Sequence, residues 1–316
     1  MVITCLMTVG PTVGFQRSGR ARISMASSAT DGKRRAMMLL PWLALGGRTA
    51  QAAGGMVQSS VTVDVDGTPR TFPAYTLPDN FASGLELPIK DITKQVFVPG
   101  MEYPKDYPLT AKDMKRMDES EDSSFYNEPR FVYHVDQGAV AALTHYYKER
   151  IPGGKDVLDI CSSWVSHYPA DFPKKMKSIT GTGMNPLELK ANSQFTAGWK
   201  ARDLNIDTSL PFPDNSFDVV TCVVSVDYLI KPLEVFREVR RVLRPGGRFI
   251  LSQSNRLFYT KAVSVWLGLG DLDRLELIGT YFHFAGGFGE PSAFDISAKG
   301  RNAKDPMYIV EATKLA

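Results

Sequence analysis

The apolar positions of this chain change period along its length, and the changes mark out its elements. From Ser60 to Thr71 the sequence S-V-T-V-D-V-D-G-T-P-R-T alternates apolar and polar and then turns at Asp66-Gly67, which predicts a small β-hairpin. No period persists from Phe72 to Asn127, a Pro- and Tyr-rich stretch. Helical spacing sets in with Val135, Ala139, Leu143 and Tyr147, where Asp136 serves as N-cap and Pro152-Gly153-Gly154 as the stop. Short apolar runs then alternate with helical stretches. Val157 to Cys161, Ser178 to Gly183, Phe195 to Asp203, Phe217 to Val224 and Arg248 to Ser254 read as five strands. The fourth is rich in β-branched residues, as a strand buried on both faces should be. Asn185-Pro186-Leu187-Glu188 reads as a helix start, with Asn185 as cap, Pro186 at the first position and Glu188 reaching back. Pro232 opens a helix whose Phe236, Val239 and Leu243 recur at helical spacing and which Gly246 and Gly247 stop. Thr280 to Phe284 and Met307 to Ala312 read as two further strands. Ala285 to Lys304 lacks an apolar period and reads as a surface loop.

Strand, helix and strand joined by short turns make parallel, right-handed units. The most specific of them runs from Ala201 to Ser254. It passes through L-P-F-P-D-N-S-F-D-V-V and closes with R-R-V-L-R-P-G-G-R. This pair of motifs closely resembles the second half of the class I S-adenosylmethionine-dependent methyltransferase fold, in its small-molecule type 11 branch. The resemblance implies an α/β architecture: a doubly wound, mostly parallel seven-stranded sheet with an antiparallel edge pair, of Rossmann-like type, plus an N-terminal extension. It divides the chain into a presequence over residues 1–52, an extension or lid over 53–130 and a methyltransferase-like domain over 131–316.

The same resemblance implies S-adenosylmethionine as cofactor, bound outside the carboxyl ends of the strands where strand order reverses. Those ends carry Asp159, Cys161, Ser162, Ser163, Met184, Asn185, Asp203, Leu204 and Ser225. Asp203 matches the family's acidic residue beside adenine, with Leu204 packing on the ring; alternatively Asp203 caps a turn. Two features depart from the family's pattern. The family places glycines directly after V-L-D-x, whereas here the chain reads V-L-D-I-C-S-S-W, with no glycine between Gly154 and Gly181. Glycine supplies positive φ and the absence of a Cβ, and serine supplies neither. Trp164 either stacks on a ligand or plugs its space. The family's carboxylate for the ribose hydroxyls falls on Gly183, and Asn185 is uncharged and has a second role as helix cap. For methyl transfer, the candidates beyond the strand ends are His167, Asp227 and Tyr228, with Asn255 and Arg256 beside them and Tyr133 and His134 closing from the lid.

Composition changes the picture mainly at the N-terminus. The net charge of +3 divides unevenly: residues 1–52 hold seven basic side chains and one acidic, which leaves 30 basic and 33 acidic residues in the remainder, a net charge of −3. The basic character belongs to the leader and gives no reason to expect nucleic acid. Residues 1–30 lack acidic side chains and are rich in Ser, Thr and Arg, the composition of an organelle transit peptide. Lys33-Arg34-Arg35, the apolar run A-M-M-L-L-P-W-L-A-L and Ala50-Gln51-Ala52 follow. The apolar run is far short of the ~20 residues of a membrane span and fits a signal h-region. The tandem resembles a chloroplast transit peptide followed by a twin-Arg signal for the thylakoid lumen; a single stromal or mitochondrial presequence is the alternative. Cys161 and Cys222, the cysteines outside the leader, are too few for a disulfide framework or a zinc site, and the histidines show no ligand spacing, so no metal is expected. The sulfurs of Cys161 and Cys222 are expected close together on neighbouring strands. The charged run Lys112 to Asp122 reads as a solvated face. The sum is a methyltransferase acting on a small molecule in a plastid, or a methyltransferase-like protein that binds without catalysing. A nicotinamide reductase is disfavoured, since G-T-G at 181–183 lacks the third glycine of a dinucleotide fingerprint.

Overall fold

The computed structural model describes residues 56–316; the segment 1–52 read as a presequence lies outside them. The predicted hairpin forms: β1 (Val57–Val65) and β2 (Thr68–Thr76) pair antiparallel with Val65 opposite Thr68. Asp66 and Gly67 take φ of 54° and 81°, the left-handed backbone that a two-residue turn requires. The chain then runs through β3 (Lys90–Asp91), α1 (Thr93–Val96) and α2 (Asp122–Phe125). The alternating part follows with α3 (Gln137–Arg150), β4 (Asp156–Ile160), α4 (Phe172–Lys175), β5 (Ser178–Gly183), α5 (Pro186–Ala191), β6 (Trp199–Ala201) and β7 (Phe217–Val223). It closes with α6 (Pro232–Val242), β8 (Leu243–Gln253), α7 (Ser264–Leu267), α8 (Asp271–Ala285), β9 (Ser292–Asp295) and β10 (Tyr308–Thr313).

Eight strands form one sheet in the order β3-β9-β10-β8-β7-β4-β5-β6. The five strands β6, β5, β4, β7 and β8 are parallel, and β10, β9 and β3 are each antiparallel to their neighbour. This is the doubly wound sheet expected, with one strand more. The addition is β3, which the N-terminal extension contributes to the edge. Alternate residues of each strand feed two cores. Leu158, Val220, Leu251 and Val310 join the layer under α6 and α8, while Val157, Val219, Ile250 and Ile309 join the layer under α3. Both faces are therefore covered, as parallel strands require. Strand order reverses between β4 and β7, and there the sheet opens a crevice at its carboxyl edge.

Four expectations are corrected. Thr280 to Phe284 is the last part of helix α8, not a strand. Its apolar residues continue a helical stripe that begins upstream, with Leu275, Ile278, Tyr281 and Phe282 all buried. The edge strand is instead β9, inside the segment read as a surface loop, where Ala293, Phe294 and Ile296 are buried. The third parallel strand is only Trp199–Ala201, because Phe195 leaves the strand register to lay its ring over Gly181. Helix α6 ends at Val242, ahead of the glycines, and Leu243 already opens β8.

Candidate functional site

A cavity of about 350 Å³ sits at the carboxyl edge of the sheet. Its floor comes from Cys161, Ser162 and Ser163 after β4 and from Thr182, Gly183 and Met184 at the end of β5. One wall comes from Asp203, Leu204 and Asn205 after β6, another from Val224, Ser225 and Tyr228 after β7. Arg256, Leu257 and Phe258 after β8 complete the far side. The extension closes over it with Asp122, Tyr126, Arg130 and His134. Seven of the residues named in advance thus meet around one space as candidate cofactor contacts: Cys161, Ser162, Ser163, Met184, Asp203, Leu204 and Ser225. Asn185 lines it too, but is committed elsewhere. Its Oδ1 accepts from the Leu187 and Glu188 backbone N–H groups, and its Nδ2 donates to the Tyr126 and Asn127 carbonyls. It fastens the extension to the start of α5.

The loop after β4 shows how a chain without glycines makes this turn. Cys161, the first residue after the strand, takes left-handed backbone, φ 53°, which costs roughly 1–2 kcal/mol for a residue with a Cβ. Ser162 N–H then donates to the Thr182 carbonyl (2.8 Å), which locks the loop onto β5. Ser162 Oγ donates to Asp159 Oδ2 (2.5 Å), and Thr221 Oγ1 donates to Asp159 Oδ1 (2.8 Å). The Ser162 carbonyl lies across Gly183, where an added Cβ would come within 2.0 Å of that oxygen. The two departures from the family's pattern are thus one. The loop drops into the space that a side chain at 183 would fill, so no carboxylate fits there.

Several expected positions are corrected. Asp159 does not line the cavity; it is buried beneath the loop and holds Ser162. Burial raises its pKa to about 6 against the pull of its hydroxyl partners. His167 also lies off the cavity. Its backbone is left-handed (φ 59°), its ring packs on Tyr133, and burial lowers its pKa to about 4. Asp227 is buried behind Tyr228 with Oδ2 unpartnered, and burial pushes its pKa up to about 8. Tyr228 does face the cavity, and its hydroxyl accepts from the Phe258 N–H (2.8 Å). Trp164 neither stacks on nor plugs the cavity: its ring packs against Phe131 and Tyr133, and Nε1 donates to the Val132 carbonyl. Asn255 and Tyr133 stay outside the lining. Glu188 does not reach back to its own helix start. Its Oε1 accepts from the Arg130 N–H (2.7 Å), with the carboxyl group's pKa raised by burial. Cys161 and Cys222 are free thiols, and the neighbouring Cys161 together with burial holds the Cys222 thiol well above its ordinary range.

Three features escaped the sequence reading. Tyr126, Arg130 and Asp122 come from a stretch without period. The run read as a solvated face contains a buried ion cluster: Asp122 accepts from Arg116 Nη1 at 2.7 and 2.8 Å and pairs with Lys261 Nζ at 3.2 Å. Lys261 is only 1% exposed. Asn205 Nδ2 donates to the same carboxylate (2.8 Å) and to the Tyr228 carbonyl, so the cluster reaches the cavity wall. Third, Val224 has φ 39°, strained backbone for a β-branched residue, at the cavity edge of β7.

Residues 159–251 match the family model described as a methyltransferase domain. An uncharacterized methyltransferase of Mycobacterium sp. (strain JLS) is 31% identical over 153 residues, covering 48% of this chain and 55% of that protein. The uncharacterized methyltransferase YcgJ of Bacillus subtilis (strain 168) is 49% identical over 99 residues, 30% of this chain and 39% of that protein. The chain spans about half the length of the curated relatives it matches or less. Among solved structures, a SAM-dependent methyltransferase from Aquifex aeolicus aligns with a TM-score of 0.41 at 16% identity, covering 55% of this chain and 89% of that chain. The matched segment runs from the end of β4 into β8, so the likeness to a methyltransferase domain falls on the parallel part of the sheet and on the strand ends that line the cavity.

Proposed function

We propose that this protein binds S-adenosylmethionine in the cavity and methylates a small acceptor in a plastid. The observation that carries the reading is the convergence of Ser162, Ser163, Met184, Asp203 and Leu204 on one enclosed space at the switch point of the sheet. The space fits the cofactor. At about 350 Å³ it falls in the lower part of the range of small-molecule sites, roughly 300–1,000 Å³. Asp203 gives Oδ1 to the Asn205 N–H and faces the cavity, so its carboxylate is fixed as an acceptor for an exocyclic amine. The ribose end has no carboxylate at 183. The nearest acidic group along the chain that faces the cavity is Glu188.

The cofactor supplies an electrophilic methyl group. The chain's own residues position the acceptor. Tyr228, whose phenol is held well above its ordinary pKa by burial, stays protonated and donates a hydrogen bond. The Phe258 N–H, which donates to the same hydroxyl, fixes its orientation, and buried Asp227 does not touch the acceptor. His134 faces the cavity as a neutral imidazole, its pKa lowered by its surroundings and the Arg130 charge, and takes up the acceptor's proton. Its open face tempers that shift.

A second reading, a binding or assembly factor without catalysis, is favoured by one observation: the Ser162 hydroxyl and Asn185 are already committed within the protein. Accumulation of S-adenosylhomocysteine from S-adenosylmethionine, measured with the purified chain in a small-molecule plastid extract, separates the two. Product above the protein-free baseline supports the enzyme, and baseline product despite cofactor binding supports the factor. For the address, residues 1–52 fused to a fluorescent protein should enter chloroplasts of a plant cell; cytosolic or mitochondrial signal refutes it.

A further inference from the structure

Three arginines face the cavity, and two are neutralised. Arg202 bonds Asp207, and Arg256 Nε lies 2.8 Å from Asp305 Oδ1. Arg130 has no ion pair among the described residues, and its Nη1 is buried without a hydrogen-bond partner. The rest of its guanidinium is held in place. Nη2 donates to the Phe125 carbonyl (3.1 Å), and the group lies 4.5 Å from the Phe125 ring centroid and 5.2 Å from that of Phe258. Glu188 does not neutralise it by ion pairing, because that carboxylate takes the Arg130 backbone N–H. A fixed fork with one donor left over is a receptor for a planar anion.

The surroundings specify what accompanies the anion. The Phe258 ring is met by Tyr126 at 6.3 Å, His134 at 5.3 Å and Tyr228 at 5.8 Å between centroids. These aromatic residues line the same cavity as Ser162 and Ser163. Planar apolar walls favour a ring between them.

From this geometry we infer that Arg130 receives the carboxylate of a planar, aromatic methyl acceptor, whose ring lies against Phe258, Tyr126 and Tyr228. The inference rests on the reading of the cavity as a methyltransferase site and adds the acceptor's chemical class. Nη1 is covered by its neighbours in this conformation, so anion binding requires a local shift of the Arg130 side chain toward the cavity.

A carboxylate in this cavity has two sources, the acceptor and the amino-acid end of the cofactor, and calorimetry with the full chain distinguishes them. The probes are 4-hydroxybenzoate and the uncharged 4-hydroxybenzyl alcohol, each titrated with and without saturating S-adenosylhomocysteine. The acid should bind at least about tenfold tighter than the alcohol. Arg130→Met, which keeps the packed stem, should erase that preference, and Arg130→Lys should retain part of it. Thermal unfolding midpoints of the variants check that they fold. Affinity for S-adenosylhomocysteine should stay within about twofold in both variants. Equal binding of acid and alcohol, binding of neither, or an unchanged preference in Arg130→Met overturns the inference. So does a loss of S-adenosylhomocysteine binding in Arg130→Met that is absent with decarboxylated S-adenosylmethionine, since Arg130 would then hold the cofactor's carboxylate. If the wild type ignores S-adenosylhomocysteine yet prefers the acid through Arg130, the methyltransferase reading fails and the anion site stands.

Discussion

Gly183→Ala tests the architecture of the loop after β4, because local preference and structure predict opposite signs. Gly183 ends a strand and has no positive φ. Replacing glycine by alanine at such a position ordinarily stabilises by roughly 0.5–1 kcal/mol. Here the new Cβ would lie 2.0 Å from the Ser162 carbonyl oxygen, 2.9 Å from its carbon and 3.2 Å from its nitrogen. All three are backbone atoms, so no side-chain rotation relieves the contact. Reaching even 3.0 Å requires the loop to retreat by 1.0 Å. That movement strains the Ser162 N–H bond to Thr182 and the Ser162 hydroxyl bond to the Asp159 carboxylate. Overpacking of this kind costs about 1–3 kcal/mol, and weakening a hydrogen bond to a charged group adds about 1–2 kcal/mol. We expect a net loss of about 3 kcal/mol. For a domain of this size that lowers the melting temperature by roughly 6–12 °C. Urea unfolding followed by circular dichroism, with wild type and variant sharing one m-value, measures it. A variant as stable as wild type or more so would show that the loop does not lie over Gly183. The account of why this chain lacks a carboxylate there would then fall.

Two further outcomes follow from the buried charges. Asp122→Ala leaves Arg116 and Lys261 facing each other without their shared carboxylate, and breaking a buried pair typically costs about 3–5 kcal/mol; Asp118, 3.3 Å from Lys261, holds the loss to the lower end, readable by urea unfolding. Asp227 has a folded pKa of about 8, above its ordinary value of 3.8, so the stability it contributes is complete at low pH and is lost as pH rises toward 8. Between pH 6.5 and 8 that loss is about 2 kcal/mol, and Asp227→Asn should flatten the fall. A wild-type profile that is level or rising across this window contradicts the assigned burial.

How much of this was legible in the sequence depended on where the determining contacts lie. The hairpin, α3, β4, β5, β7 and the cap of α5 are set by neighbours within a few residues, and their patterns could be read directly. Thr280 to Phe284 misled because T-Y-F-H-F, four of its five residues Thr, Tyr or Phe, looks like a strand. The helical stripe that overrides them starts at Asp271, and acidic residues there suit the first turn of a helix. Strand β9 is four residues long and leaves no period to see. At the site, residues beside the strand ends were found because topology places them. Those contributed by the extension were not, since Arg130 reaches Glu188 across 58 positions and Lys261 reaches Ser120 across 141. The missing glycines and the missing carboxylate looked like two separate losses. Only the position of the Ser162 carbonyl over Gly183 joins them.

Cofactor recognition is the central claim, and titration calorimetry of the full chain with S-adenosylhomocysteine tests it most directly. Asp203 faces the cavity, and its one assigned side-chain partner is the Asn205 N–H, so Asp203→Ala removes a ligand contact with little consequence for the fold. The account predicts saturable 1:1 binding by the wild type and at least a tenfold loss in Asp203→Ala, about 1.4 kcal/mol or more. Absence of binding at millimolar ligand, or equal affinity in wild type and variant, would contradict it.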